Sequence, residues 1–165
     1  MKKIVSLLLA VVMLFCLTSC MKAVPKDFTC GDMTITLTDD FKETTHEELE
    51  LNTVCYEAFD MVVLIQMEPF AYELGLHYMS LEHFTNLVWE ENYDKLPSKI
   101  TVHEKFRSME YTYLDQEDNQ KYKSFVTTFR GAGCFYIIQF ISKEKDYESH
   151  KDTFLEFANS VTFKQ

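Results

Sequence analysis

Residues 121–140 read KYKSFVTTFRGAGCFYIIQF: two β-rich runs on either side of Gly131-Ala132-Gly133. Tyr122 to Phe129 alternates in the period of a half-buried strand, and Phe135 to Ile141 is the nearly unbroken apolar run of a central strand covered on both faces. The stretch predicts an antiparallel hairpin over Tyr122–Ile141, with a glycine turn in which a positive φ is expected. Phe125 and Phe129 stand four apart, so at period two they share a face. Phe135 is expected to pack near them across the turn, with Lys123 as the solvated end of that face.

The same pattern extends outward. From Phe28 the texture is extended, and Met33, Ile35 and Leu37 alternate with Thr34, Thr36 and Thr38. Asp39-Asp40 ends that strand, and Thr44 to Glu50 reads as an acidic loop or short helix. Thr53–Phe59 and Met61–Met67 form a second predicted hairpin with its turn at Asp60. This places Ile65, like Ile138 of the first hairpin, in a buried central strand. After a connector, Pro69 to Tyr78, Ser80 is a good N-cap and Glu82 suits the positive end of a helix dipole. Leu81, Phe84, Leu87 and Val88 make one apolar stripe, and Asn92 and Pro97 stop the helix. Ile100–Lys105 and Phe106–Leu114 read as extended. A last helix opens near Asp146 with Tyr147, Phe154, Ala158 and Val161 on one face, and Val161-Thr162-Phe163 closes as a short strand. Around seven strands with two helices predict an α+β fold, an antiparallel β-sheet sandwiched by helices.

Four segments in this order carry a resemblance: GDMTITLT at residues 31–38, SLEHFTNLVWEEN at 80–92, the hairpin at 121–140, and KDYESHKDTFLEFANSVTF at 145–163. Together they resemble the PsbP/Mog1-like domains found in lipoproteins of Gram-positive bacteria. The resemblance implies an α/β/α sandwich over 28–165. It implies little about activity, because the better-known members serve unrelated accessory roles in photosystem II and in nuclear transport. It carries over no functional residue.

The beginning of the chain has a different character. Lys2 and Lys3 precede an apolar run, Ile4 to Leu17, broken only by Ser6 and followed by Thr18-Ser19-Cys20. At fourteen residues the run is short of the ~20 needed to span a bilayer, and it has the layout of an export signal. Leu17-Thr18-Ser19-Cys20 resembles the lipobox of bacterial lipoproteins. There the cysteine takes a diacylglyceryl thioether and the peptide bond before it is cut. The expectation is a signal peptide at 1–19, a lipid-anchored tether at 20–27, lipidation at Cys20, and a protein held on the extracytoplasmic face of the cell membrane.

From Cys20 onward there are 146 residues, enough for one domain, with 14 basic and 26 acidic side chains. That acidity disfavours nucleic acid, whose binding needs clustered Lys and Arg. It suits solubility, cations or basic partners. The many aromatics and few glycines and prolines are those of a packed domain. Cys30, Cys55 and Cys134 are an odd number, and their spacing matches no zinc or thioredoxin-like motif.

No stretch carries a catalytic or cofactor motif. His46-Glu47-Glu48 lacks the second histidine of a zincin, since position 50 is Glu. Asp115, Glu117, Asp118 and Asn119 offer oxygens without EF-hand spacing, so a polar hairpin tip accounts for them. The five histidines read as surface or boundary residues. No catalytic, cofactor-binding or metal residue is therefore assigned, and the expectation is a non-enzymatic accessory or protein-binding module. The alternative is a lipoprotein that binds a small molecule or metal ion. Phe70, Tyr72, Tyr78, Met79 and Trp89 fall between the long apolar strand and the first helix. Trp89 does not fit the Leu81–Phe84–Val88 face, which makes it the candidate contact residue.

Overall fold

The hairpin at 121–140 forms as the alternation predicts. In the computed structural model, which describes residues 23–46, 49–70, 75–92, 99–116 and 118–164, strands β8 (Lys121–Arg130) and β9 (Cys134–Lys143) pair antiparallel from Tyr122↔Lys143 to Arg130↔Phe135. Cys20, the export segment, Tyr72, Pro97 and Glu117 lie outside the described residues.

Before this hairpin come β1 (Pro25–Cys30), β2 (Met33–Thr38), β3 (Lys42–Thr44), β4 (Thr53–Glu57) and β5 (Met61–Pro69). A 3-10 turn (Leu76–Tyr78) leads to helix α1 (Leu81–Asn92), then β6 (Thr101–Val102) and β7 (Arg107–Leu114); after β9 follow α2 (Tyr147–Ser160) and β10 (Thr162–Phe163). The strands make two antiparallel sheets, a large one in the order β3-β4-β5-β9-β8-β7-β6 and a small one in the order β1-β2-β10. The fold is α+β, with helices on both faces of the large sheet. Among the described residues no helix is long and apolar enough to cross a membrane.

Two cores follow from this layering. The larger lies between one face of the large sheet and a cover made of β2 and α2. Met33, Ile35 and Leu37 meet Val63, Ile65, Phe125, Phe129, Ile138 and Phe140 there, with Tyr147, Phe154, Phe157 and Ala158 of α2 closing over them. The smaller lies on the opposite face, where Phe84 and Val88 of α1 pack on Met109, Val126, Phe135 and Ile137. The Ser80 hydroxyl caps α1, accepting the His83 N–H at 3.1 Å. The Thr85 and Thr128 hydroxyls, buried and 2.6 Å apart, pin the helix to β8.

The structure corrects several expectations. Pairing begins at Pro25, not Phe28, because β1 forms a two-residue hairpin with β2 around Gly31-Asp32. Pro25 to Asp27 therefore belong to the sheet and not to the tether. Between Asp40 and the acidic stretch, Lys42–Thr44 forms β3, which overlaps that stretch at Thr44. There are thus ten strands in two sheets among the described residues, where one sheet of around seven was expected. Phe59 lies past the end of β4, fully exposed at the tip of the β4–β5 hairpin. Of Ile100–Lys105, only Thr101–Val102 pairs. Lys123 is not simply solvated: its ammonium sits 2.9 Å from Glu110 and 4.1 Å from the centre of the Tyr147 ring.

Phe135 does not share a face with Phe125 and Phe129. Register decides this: Phe129 stands opposite Tyr136, so Phe135 falls opposite Arg130 and points to the other side. There it stacks on Phe84, ring centroids 4.1 Å apart.

Nor do Gly131 and Gly133 take a positive φ; among the described glycines Gly31 and Gly75 do. Gly131 is needed for closeness instead. A Cβ there would fall 2.9 Å from the Tyr136 ring and 3.0 Å from both Asp32 carboxylate oxygens. Asp32 bridges the turns of the two sheets, accepting the Tyr136 hydroxyl and, at 2.9 Å, the Ala132 N–H. Burial, and after it the bond to Asp32, push the Tyr136 phenol well above its ordinary range. Gly131→Ala should therefore cost about 1–3 kcal/mol through overpacking. Gly133→Ala, whose Cβ would meet open space, should stay within ~0.5 kcal/mol. Chemical-denaturation midpoints of the two variants measure the contrast, and equal midpoints would contradict this role for Gly131.

Candidate functional site

Helix α1 is too narrow to cover its face of the large sheet. A helix is ~10 Å across and strands lie ~4.8 Å apart, so one helix shields about two strands. Packed on β7, β8 and the Phe135–Ile137 part of β9, α1 leaves the β4–β5 side of the same face open among the described residues. Met61–Met67 is accordingly covered on one face alone. Val63 and Ile65 are buried, whereas Leu64 and Gln66 are half-buried.

The result is a cleft of about 580 Å³, within the ~300–1,000 Å³ range of ligand pockets. Cross-strand register lays its floor in rows. Leu64 stands opposite Gln139, and Gln66 stands between Thr53 and Ile137. Leu76, Phe84, Leu87 and Val88 form the apolar wall, and Leu49 and Glu50 form the opposite rim. The floor is polar and ordered: the Gln66 amide donates to Glu50 at 3.0 Å and to Glu68 at 2.8 Å, and the Tyr111 hydroxyl donates to Gln139 at 2.9 Å. Two carboxylates and an apolar wall favour a ligand with both a cationic and an apolar part.

The row that carries Leu64 and Gln139 continues onto β4 at Cys55. There the chain gathers a second group that sequence reasoning missed. His46 Nε2 lies 2.7 Å from Glu57 Oε1, Cys55 Sγ lies 3.9 Å from the same oxygen, and the Thr44 hydroxyl is 3.4 Å from the imidazole. One ligand atom from each of His46, Cys55 and Glu57 falls within 4.8 Å of the others. Cys55 is buried, Glu57 half-buried and His46 exposed. Burial raises the Cys55 thiol pKa above its ordinary value; the bond to Thr44 opposes this and the nearby Glu57 charge adds to it. The signal available in the sequence was Cys-x-Glu on a strand whose register partner, Thr44, stands two residues before His46.

Trp89 is half-buried against the smaller core, alongside Phe70, Met79, Leu81 and Tyr111. It is therefore part of the packing between α1 and the sheet, and it is not among the cleft's lining residues. Tyr78, grouped with it in the sequence, is exposed. The polar tip after Leu114 is occupied by its own bonds, since Asp118 accepts the Gln120 N–H at 2.8 Å and the Tyr122 hydroxyl at 2.7 Å. His103 lies 2.8 Å from Ser108 and His150 3.1 Å from Asp60, each at a strand or helix boundary. Cys30, Cys55 and Cys134 are free thiols.

No known family profile matches the sequence, and no curated protein sequence matches it. Solved structures do. A protein of Bacteroides thetaiotaomicron VPI-5482 superposes with a TM-score of 0.55 at 10% identity, over 88% of this chain. The chain spans 50% of that protein's length. The cyanobacterial PsbP (CyanoP) of Synechocystis sp. PCC 6803 superposes with a TM-score of 0.51 at 9% identity, covering 88% of this chain and 96% of that one. The Ran-binding protein Mog1p of Saccharomyces cerevisiae aligns at 12% identity with a TM-score of 0.49, over 86% of this chain and 96% of its own. At these identities the likeness concerns the fold. On the match to the cyanobacterial protein along nearly its whole length, this chain has the PsbP/Mog1-like fold.

Proposed function

We propose that the protein is a non-enzymatic binding module, lipid-anchored through Cys20 on the outer face of the cell membrane, whose ligand surface is the cleft between α1 and the β4–β5 hairpin. The anchor rests on the Leu17-Thr18-Ser19-Cys20 sequence, and two acyl chains hold a protein firmly where one does not. The observation that carries the binding role is the half of the sheet face that the described residues leave uncovered, with its ordered polar floor and apolar wall. The groups lining it hold one another in hydrogen bonds and present no nucleophile paired with a base, which favours recognition over turnover.

The occupant that fits is a basic segment of another protein. Glu50 and Glu68 flank Gln66, and the chain carries a formal charge of −10. Such charge raises the association rate for a cationic partner. Leu87 stands half-exposed on the wall, so Leu87→Arg places a repelling charge in the cleft without emptying the core. Cross-linking of the full-length tagged chain in membranes should capture a reproducible protein partner that the Leu87→Arg chain loses. Equal capture by both chains would place binding elsewhere. A metabolite that raises the melting temperature of the unvaried chain alone would replace the protein partner with a small ligand.

A further inference from the structure

We infer that His46, Cys55 and Glu57 form a binding site for a borderline-soft divalent cation, with Zn2+ as the ion that the donor set suits best. The inference does not depend on what occupies the cleft. It rests on three donor types converging from separate parts of the chain: an imidazole beyond β3, and a thiol and a carboxylate two residues apart on one face of β4.

The geometry is close to what the ion requires. Zinc bonds of ~2.0–2.3 Å in a tetrahedral arrangement separate ligand atoms by roughly 3.3–3.8 Å. The Cys55 Sγ to Glu57 Oε1 distance of 3.9 Å needs to close only slightly, and the His46 to Glu57 hydrogen bond of 2.7 Å must open by about half an ångström. That movement is available, because the His46 side chain is 51% exposed and the Glu57 side chain 38%. The exposed imidazole also gives the ion a path to the buried sulfur.

The charges balance on binding. Cys55 releases its thiol proton to solvent and ligates as thiolate, Glu57 ligates as carboxylate, and neutral His46 gives a ring lone pair, so the two anions neutralise the dication. Thiolate and imidazole together disfavour Mg2+ and Ca2+, which take oxygen ligands. Three protein ligands leave the fourth position to solvent, the open arrangement of a site that can accept a further group.

Cobalt reports the sulfur directly, because a thiolate bound to Co2+ gives a charge-transfer absorption that oxygen and nitrogen ligands do not. The full-length chain, kept reduced, should show this band with one Co2+ bound per chain, and Zn2+ should displace it. Cys134→Ser should retain the band and Cys55→Ser should lose it. His46→Gln changes an exposed residue and should leave the fold intact. It should weaken Zn2+ by at least the ~10–100-fold that loss of an outer-shell partner costs in other metal sites. No band in the unvaried chain would overturn the site. So would a band of equal strength in Cys55→Ser, or unchanged Zn2+ affinity in His46→Gln.

Discussion

Replacing Ile138 with Ala is expected to destabilise the fold by about 2–5 kcal/mol, and Ile65→Ala by a similar amount. The two side chains stand directly opposite each other in the β5–β9 pairing, and both are 0% exposed. They face the larger core, where β2 and α2 cover the sheet. Each substitution removes three buried carbons and leaves a cavity that a close-packed interior fills only in part. Against a domain stability of ~5–15 kcal/mol this is a large fraction. Urea unfolding should show a lower midpoint with an unchanged slope. A midpoint unmoved in either variant would mean that the β5–β9 centre is not the core of the fold.

That centre was legible because a period of two is a strong local signal. Met33, Ile35 and Leu37 alternate with threonines, and all three turn into the core. The Ser80 cap and the Leu81–Phe84–Val88 stripe likewise gave α1 its start and its face. What was not legible is everything set by register and by coverage. The apolar run at Phe135–Ile141 has no period, so nothing local says that Phe135 and Phe129 diverge. The pairing of Arg130 with Phe135 decides it. The role of Gly131 was misread for the same reason, since its neighbours Asp32 and Tyr136 are distant or unpaired in sequence. The partition into two sheets was hidden too, because β1 begins in a stretch that reads as tether and β3 is a three-residue strand that ends where the acidic stretch begins.

Replacing Cys20 with Ser is expected to abolish lipid attachment and move the protein from the membrane to the soluble or unprocessed fraction. The physical reason is area. Each buried methylene contributes ~0.8 kcal/mol, so a diacyl anchor contributes far more than any surface attraction could. With a formal charge of −10 the chain is repelled by anionic lipid. The substitution lies outside the domain, so unfolding of residues 23–164 should be unchanged. Fractionation of cells together with circular dichroism reads both halves. A Cys20→Ser chain that stays with the membrane as firmly as the unvaried one would contradict the anchor.

The candidate site was the least legible part. The cleft exists because of the width of α1 and the place where it sits, and no residue pattern encodes that placement. His46 was compared only with positions a helical zinc motif would use. Its companions lie at 55 and 57, brought near by the β3–β4 pairing Thr44↔Cys55. Trp89 was singled out because it falls off the apolar stripe, and it packs half-buried against the smaller core.

The anchor proposed for this PsbP/Mog1-like domain is Cys20, through which it would be tethered to a membrane. Intact-mass spectrometry of the full-length gene product extracted from membranes tests it most directly. The expected species begins at Cys20 and carries the added mass of a diacylglyceryl thioether on that residue. A species that retains residues 1–19, or one with an unmodified Cys20, would contradict it.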